Sequence, residues 1–221
     1  MTWERLLPML IEETGNTLYM TIPATLFAYI LGVPLGVLLV ITRKEGIMPK
    51  PKLNSILGVA VNLLRSVPFI ILLVMLFPVT RLVMGRGVGT TAIIFPLTIS
   101  AFPYVARMVE SSLLEVDSGV IEAAQSMGSS TWHIVSKVLI PEAMPSLING
   151  FAICITTILA YTAMAGTAGG EGLGTLAITY GLNKREYSVM YAASIVLVIL
   201  VQIFQLIGNG IAHSIDHRRR N

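Results

Sequence analysis

Five long stretches of this chain carry almost no charge. Four of them contain no Asp, Glu, Lys or Arg, and the second contains only Arg65. About 20 apolar residues in a helix cross the hydrocarbon core of a bilayer. A backbone in lipid must satisfy its own hydrogen bonds, and the stretches lack the alternation typical of barrel strands. The sequence therefore predicts an all-α integral membrane protein with five transmembrane helices. The stretches cover residues 14–42, 53–80, 87–106, 143–170 and 188–212.

Composition and the N-terminal charges agree with retained spans. Of the 221 residues, 54% are hydrophobic and 12% are charged, whereas soluble domains carry about 25% charged residues. The N-terminus holds three glutamates against Arg5, which is opposite to the basic start of a cleavable signal peptide. We predict a membrane domain at 14–211 with spans at roughly 16–41, 56–80, 88–108, 145–166 and 188–211, a polar cytoplasmic loop at 110–142 and a basic cytoplasmic tail at 212–221.

Lys and Arg are distributed unevenly among the loops. They are more frequent after the first and third spans and in the tail than in the segments on the other side. Because cytoplasmic loops carry an excess of these residues, the N-terminus is predicted outside and the C-terminus in the cytoplasm. The basic tail suits an anionic lipid surface better than a nucleic acid. The residues on the predicted cytoplasmic side are Arg43, Lys44, Lys50, Lys52, Arg107, Lys137, Arg218, Arg219 and Arg220.

The polar loop contains signals for two short helices. Asp117 or Ser118 can cap the start of the first helix. Gly128 can end it in a left-handed turn, which glycine adopts at low cost. One of the polar residues at 129–131 can start the second helix, and Pro141 is predicted to mark its boundary. Val120, Ile121, Ala124 and Met127 are predicted to form one apolar stripe on the first helix.

Small residues in the first helix suit insertion into a cleft of a partner. Ala123 and Ala124 add little bulk, and Glu122 can pair with a base or interact with the helix N-terminus. An ordinary cytoplasmic loop would show the same amphipathicity. Amphipathicity alone therefore leaves both interpretations open.

The spacing of the loop residues resembles a known signature. Three residues separate Glu122-Ala123-Ala124 from Gly128, nine residues separate Gly128 from Val138, and one residue separates Val138 from Ile140-Pro141. This pattern resembles the loop of type I ABC importer permeases, which has Ile and Leu where this chain has Val138 and Ile140. The resemblance implies a type I ABC importer fold with a cytoplasmic coupling helix. It also implies that Glu122, Ala123, Ala124, Met127, Gly128 and Pro141 couple the chain to a separate ATPase.

Within that family, segments 64–74, 161–166 and 169–174 most resemble membrane subunits of bacterial methionine importers. That resemblance implies a second copy of this chain, two ATP-binding subunits with ATP and magnesium, and an extracytoplasmic methionine-binding protein. It also implies a bacterial plasma membrane and inward movement of methionine, both L and D. The alternatives are a permease for another amino acid or small solute, an ATP-independent carrier, and a structural subunit of a membrane enzyme.

The chain lacks the usual signs of its own catalysis. It has no G-x-x-x-x-G-K-[ST] phosphate loop, so ATP hydrolysis is assigned to another chain and no catalytic residue is predicted. The glycine-rich run at 169–174 is predicted to be a flexible bend at a helix end. His133, His213 and His217 do not form a ligand set, and no metal site is predicted. The single cysteine, Cys154, is interpreted as a small packing residue.

Three residues in the spans are candidates for a gate or pathway. Arg65 costs about 2.5–3.5 kcal/mol to insert, so it should face the bundle interior, water or headgroups. It is either a gate residue or a side chain that extends to the interface from the start of a later span. Tyr161 and Met164 lie one helical turn apart, and a thioether is a soft contact for a thioether substrate. They either line the pathway or pack against lipid or the core.

Overall fold

Helices form nearly all of the part of the chain that the structure describes. This computed structural model describes residues 3–215 and contains no strand within them. Of the predicted tail at 212–221, residues 216–221 lie outside the described part, including His217 and the three arginines. The helices are α1 (Trp3–Ile41), α2 (Pro51–Ser66), α3 (Phe69–Met75), α4 (Phe77–Met84), α5 (Thr90–Leu114), α6 (Ser118–Ser126), α7 (Thr131–Ile134), a π-helical segment (Val135–Leu139), α8 (Ile140–Thr162), a 3₁₀ helix (Ala165–Ala168), α9 (Leu173–Leu176), a second π-helical segment (Ala177–Asn183) and α10 (Tyr187–Ile215).

Four helices among the described residues are long and apolar enough to cross a membrane. They cover Glu4–Ile41, Thr90–Leu114, Thr131–Thr162 and Tyr187–Ile215. The number rises to five if α2 and α3, which meet at a bend of 99°, are counted as one broken span. The prediction of an all-α chain is thus confirmed. The region of the second predicted span, 56–80, contains parts of three helices instead of one straight one.

The break between α2 and α3 follows from the sequence Val67-Pro68. Proline has no backbone N–H, and it disfavours helical geometry in the residue before it. Pro68 adopts φ −56° and ψ 136°, outside the helical region. Its carbonyl accepts hydrogen bonds from the N–H groups of Ile71 and Leu72 at 3.0 Å, which starts the new helix. The proline therefore ends one helix and begins the next.

The prediction that Pro141 marks a helix boundary was wrong. One helical run extends from Thr131 through Pro141 to Thr162. A proline ring inside an α-helix collides with the carbonyl four residues earlier. The π-helical segment lies directly before Pro141, and there the Ile140 N–H bonds to the Val135 carbonyl, five residues back. The wider turn gives the ring the space that an α-helix would deny it, so the helix continues.

The chain divides into two compact units. Among the described residues, unit 1 contains 3–27, 67–101 and 154–205, and unit 2 contains 28–66, 102–153 and 206–215. The core of unit 1 joins the start of α1 to α9 and α10. It is built from Leu6, Leu10, Leu173, Leu176, Val189 and Ala193, all nearly free of solvent exposure.

The core of unit 2 depends on close contact between α1 and α5. A Cβ on Gly32 would overlap Val105, and a Cβ on Gly36 would overlap Val109. Glycines four residues apart allow two membrane helices to approach closely. The Arg107 guanidinium donates to the Gly58 carbonyl at 3.0 Å and to Glu110 at 2.6 Å, so it also ties α5 to α2.

Candidate functional site

Helix α6 begins at a side-chain cap. Asp117 lies just before the helix, and its carboxylate accepts a hydrogen bond from the Gly119 N–H at 2.7 Å. The first N–H groups of a helix have no partner within it, so this bond fixes the start of α6. Of the two predicted caps, Asp117 and Ser118, the structure selects Asp117.

Helix α6 ends at the turn around Gly128. The φ angle of Gly128 is 76°, in the left-handed region, and a Cβ there would have open space around it. The Ser129 N–H returns to the Ala124 carbonyl at 3.1 Å, and the Gly128 N–H to the Gln125 carbonyl at 2.9 Å. Ser130 then caps α7 by accepting from the His133 N–H at 3.3 Å. The predicted left-handed turn is confirmed, and hydrogen bonds define both of its sides.

The stripe predicted on α6 is divided between the interior and the surface. Ala124 is buried at 5% exposure and Ile121 is half-buried, whereas Val120 and Met127 are exposed. Ile121 and Ala124 lie within α6, whereas Met127 is the residue that follows its last one. Ala124 is therefore covered by this chain itself, and Ala123 is the alanine that remains accessible.

The exposed residues on and around this turn are called the coupling surface below, after the role that the sequence predicts for the loop: Glu122, Ala123, Met127, Gly128 and Trp132. Met127 is 78% exposed and Trp132 is 77% exposed. Sequence analysis did not select Trp132, although a tryptophan in a polar loop was a signal. Ile134, two residues later, is fully buried, so α7 presents one side chain to the interior and the Trp132 ring to the outside. Pro141 is also exposed, on the same helical run.

Arg65 lies in the last turn of α2, one residue before the helix ends. Its side chain is exposed, and its guanidinium carbon is 5.9 Å from the ring centre of Tyr104. A cation at this distance is attracted to an aromatic ring. The break at Pro68 follows three residues later, so Arg65 does not interrupt a straight span. The gate and interface interpretations both remain predictions.

Tyr161 and Met164 lie on either side of the end of α8. The Tyr161 ring stacks on Phe69 with centres 4.8 Å apart and planes 6° from parallel. Met164 lies two residues beyond the helix end, and its N–H donates to the Tyr161 carbonyl at 3.0 Å. Met164 is 45% exposed, whereas one face of Tyr161 is covered by Phe69. Of the two, Met164 offers the more open side chain for a pathway.

The glycine-rich run bends as predicted, but it is held by polar contacts. Gly169 and Gly172 have φ angles of 72° and 121°. The Gly172 N–H donates to the Glu13 carboxylate, and the Leu173 N–H donates to the Thr17 hydroxyl at 2.9 Å. Sequence analysis treated Glu13 only as one acid of the N-terminus. A contact over 159 positions leaves no local signal in a single sequence.

No group of three or more His, Cys, Asp or Glu side chains with metal-binding geometry occurs among residues 3–215. Cys154 is buried in α8, and it is a free thiol. The arrangement thus offers an exposed, well-anchored helical turn for contact with another protein and an exposed methionine at the end of a long helix.

Comparison with known proteins gives a consistent result. Residues 32–221 match the family described as binding-protein-dependent transport system inner membrane component. The probable D-methionine transport system permease protein MetI of Vibrio cholerae is 49% identical over 95% of this chain and 93% of its own. The D-methionine transport system permease protein MetI of Escherichia coli K12 is 44% identical over 74% of this chain and 75% of its own.

Solved structures extend the similarity to the fold. A chain from inward-facing conformations of the MetNI methionine ABC transporter superposes with a TM-score of 0.96 at 41% identity, covering 98% of this chain and all of that one. A chain of an amino acid ABC transporter with histidines superposes with a TM-score of 0.78 at 19% identity over 95% of each chain. The second match supports the fold alone.

Proposed function

This chain belongs to the family of binding-protein-dependent transport system inner membrane components, and on that premise we propose that it is the permease of an ATP-driven methionine importer. The family is one of transport permeases, and the relatives with 44–49% identity are described as D-methionine permeases. We propose that both enantiomers are carried inward. A matched chain from a methionine ABC transporter over the full length supports the same assignment.

The coupling surface is the observation that carries the proposal. An exposed Met127 and an exposed Trp132 flank a turn that hydrogen bonds and caps hold in place. Large apolar side chains that are exposed but rigidly supported are typical of anchors for a partner. We assign this surface to a cytoplasmic ATP-binding subunit, with Glu122 and Ala123 at the contact. Two such subunits, holding ATP and magnesium, would serve two copies of this chain.

A continuous helical run connects this surface to the candidate pathway. The run begins at Thr131, beside the coupling surface, and ends at Thr162, two residues before Met164. A displacement of the coupling surface by ATP-driven closure of the partner would thus move one end of a helix whose other end precedes Met164. We propose that this shifts the population between two bundle packings, with Arg65, Tyr161 and Met164 on the pathway.

The remaining assignments follow from the same family. We place the chain in a bacterial inner membrane as a multi-pass protein with its N-terminus outside and its C-terminus in the cytoplasm. An extracytoplasmic methionine-binding protein would deliver the substrate. Hydrolysis of ATP belongs to the partner subunit.

Reconstituted transport tests the proposal directly. The chain and its ATP-binding subunit are inserted into liposomes with the binding protein, and uptake of radiolabelled L- and D-methionine is measured with ATP and with a non-hydrolysable analogue. ATP-dependent methionine uptake, abolished by Ala123→Arg on the coupling surface, is the expected result. ATP-dependent uptake of another amino acid but not methionine would indicate a different permease. Uptake by this chain without the ATPase would indicate a carrier.

A further inference from the structure

The turn beyond α8 is a closed hairpin built on glycine. Residues 163–175, which we call the glycine hairpin, have glycines four positions apart at Gly166, Gly170 and Gly174. A Cβ on Gly166 would overlap Thr175, and a Cβ on Gly174 would overlap the backbone of Ala163. The Gly170 N–H donates to the Ala165 carbonyl at 3.1 Å. The two sides of the hairpin are therefore in backbone contact.

Two side chains of α1 hold one side of this hairpin. Glu13 accepts the Gly172 N–H and also the Asn16 side chain, whose nitrogen lies 3.3 Å from the carboxylate. Thr17 is 1% exposed; it donates to the Glu13 carbonyl at 2.8 Å and accepts from the Leu173 N–H. Leu173 is fully buried, so its N–H has no access to water as an alternative partner.

The chemistry of Glu13 indicates more than packing. Glu13 lies just before the predicted first span, and its side chain is half-buried. A half-buried carboxylate loses contact with water, so a defined hydrogen-bond partner stabilises it. Glu13 accepts one backbone N–H of the hairpin, and Thr17 accepts the N–H of the next residue. Hydrogen bonds to a charged acceptor are about twice as strong as neutral ones.

We propose that Glu13 and Thr17 are positioning residues of the transport pathway, which fix the glycine hairpin and thereby the location of Met164. The contacts run from Glu13 to Gly172, through α9 to Gly174, and from Gly174 to Ala163, the neighbour of Met164. The inference rests on the proposed function and on the pathway role predicted for Met164. A change at α1 would thus alter the pathway without touching the coupling surface.

The test uses matched pairs on α1. Glu13→Ala removes the acceptor, whereas Glu13→Gln keeps an amide oxygen that can accept the Gly172 N–H. Glu12→Ala is the control, because Glu12 is the exposed neighbour on the same helix. Thr17→Val removes the acceptor for Leu173 at nearly constant shape. Thr14→Val is its control, because the Thr14 hydroxyl donates to the Leu10 carbonyl of its own helix at 2.6 Å and has no hydrogen bond to the glycine hairpin within residues 3–215.

Two readouts are measured on the assembled complex. One is the maximal rate and KM of methionine uptake, and the other is the rate at which a thiol reagent labels a cysteine introduced as Met164→Cys in a Cys154→Ser background. Glu13→Ala and Thr17→Val should change the labelling rate about five- to thirtyfold and lower the maximal uptake rate. Glu13→Gln should recover part of both effects, and the two controls should match the parent.

The outcomes separate this inference from the proposed function. If the unmodified chain carries methionine but Glu13→Ala and Thr17→Val behave like their controls, the positioning role is overturned and the transport function stands. If the unmodified chain carries no methionine, the proposed function fails, while the labelling contrast still decides the positioning role. If the variants lower the amount of folded chain, labelling is measured on the folded fraction, and an unchanged rate there would overturn the inference.

Discussion

Gly128 and Gly172 occupy two turns that resemble each other locally but differ in their surroundings. Both have positive φ angles, 76° and 121°, and each precedes a very short helix. A Cβ on Gly128 would meet nothing within 4 Å, whereas a Cβ on Gly172 would meet the Thr17 hydroxyl at 2.9 Å. The turn at Gly128 is therefore open to its surroundings, whereas the glycine hairpin packs its small residues against its own chain.

The largest loss of stability should come from adding a side chain at Gly174, where the two sides of the glycine hairpin are in contact. Gly174→Ala places a Cβ in the backbone of Ala163, which cannot move aside as a side chain can, so we expect a loss of roughly 3 kcal/mol or more. The measurement is the fraction of monodisperse chain in detergent and its midpoint of thermal unfolding. Gly210→Ala is the control, because nothing lies within 4 Å there and alanine favours a helix. Equal behaviour of the two variants would contradict the close packing.

A second pair of substitutions compares a buried and an exposed side chain of α7. Ile134→Ala removes a fully buried side chain and should cost about 2–5 kcal/mol of stability. Trp132→Ala removes an exposed ring and should leave the unfolding midpoint unchanged, but weaken binding of the ATP-binding subunit by about 2 kcal/mol or more, as expected of an anchor. Unfolding of the chain alone and affinity for the purified subunit are measured for both. Unchanged affinity in the Trp132 variant would remove it from the coupling surface.

These contrasts show which features a single sequence could reveal. The cap was narrowed to Asp117 or Ser118, and the left-handed turn was placed at Gly128, because both features depend on neighbouring residues; the structure selects Asp117. Pro141 was misjudged, since its tolerance depends on a π-helical turn whose widening leaves no compositional sign. Glu13 was missed because its partner is 159 positions away.

The break in the second predicted span is indicated by a proline in the sequence, but the hydropathy of the surrounding residues gives no sign of it. Val67-Pro68 is a pair that ends helices, but the surrounding residues are uniformly apolar, so the length of the stretch predicted one span. Similarly, Arg107 was grouped with loop cations because its contacts to Gly58 and Glu110 depend on the packing of α2 against α5. Local chemistry was thus predictable, whereas contacts between helices were not.

Adjacent alanines on α6 provide a third comparison. Ala124→Leu forces bulk into a buried position and should destabilise the chain by about 1–3 kcal/mol. Ala123→Leu adds the same bulk on the exposed side and should leave unfolding unchanged while it reduces ATP-dependent uptake at least roughly tenfold, or about 1.4 kcal/mol. Uptake and thermal unfolding are measured together. Normal uptake in the Ala123 variant would show that this side of α6 does not contact the partner.

Among the substitutions expected to destabilise the chain, the smallest loss of stability is expected at Gly128, where only backbone geometry opposes a side chain. Alanine in the left-handed region costs about 1–2 kcal/mol, and the open space around the site adds no steric term. Asparagine adopts this region more readily, so Gly128→Asn should unfold at a higher temperature than Gly128→Ala. If both variants fold but only asparagine restores uptake, coupling requires the turn geometry. If neither variant supports uptake although both remain folded, the partner must approach Gly128 so closely that any Cβ is excluded, and Gly128 would be a point of direct contact within the coupling surface.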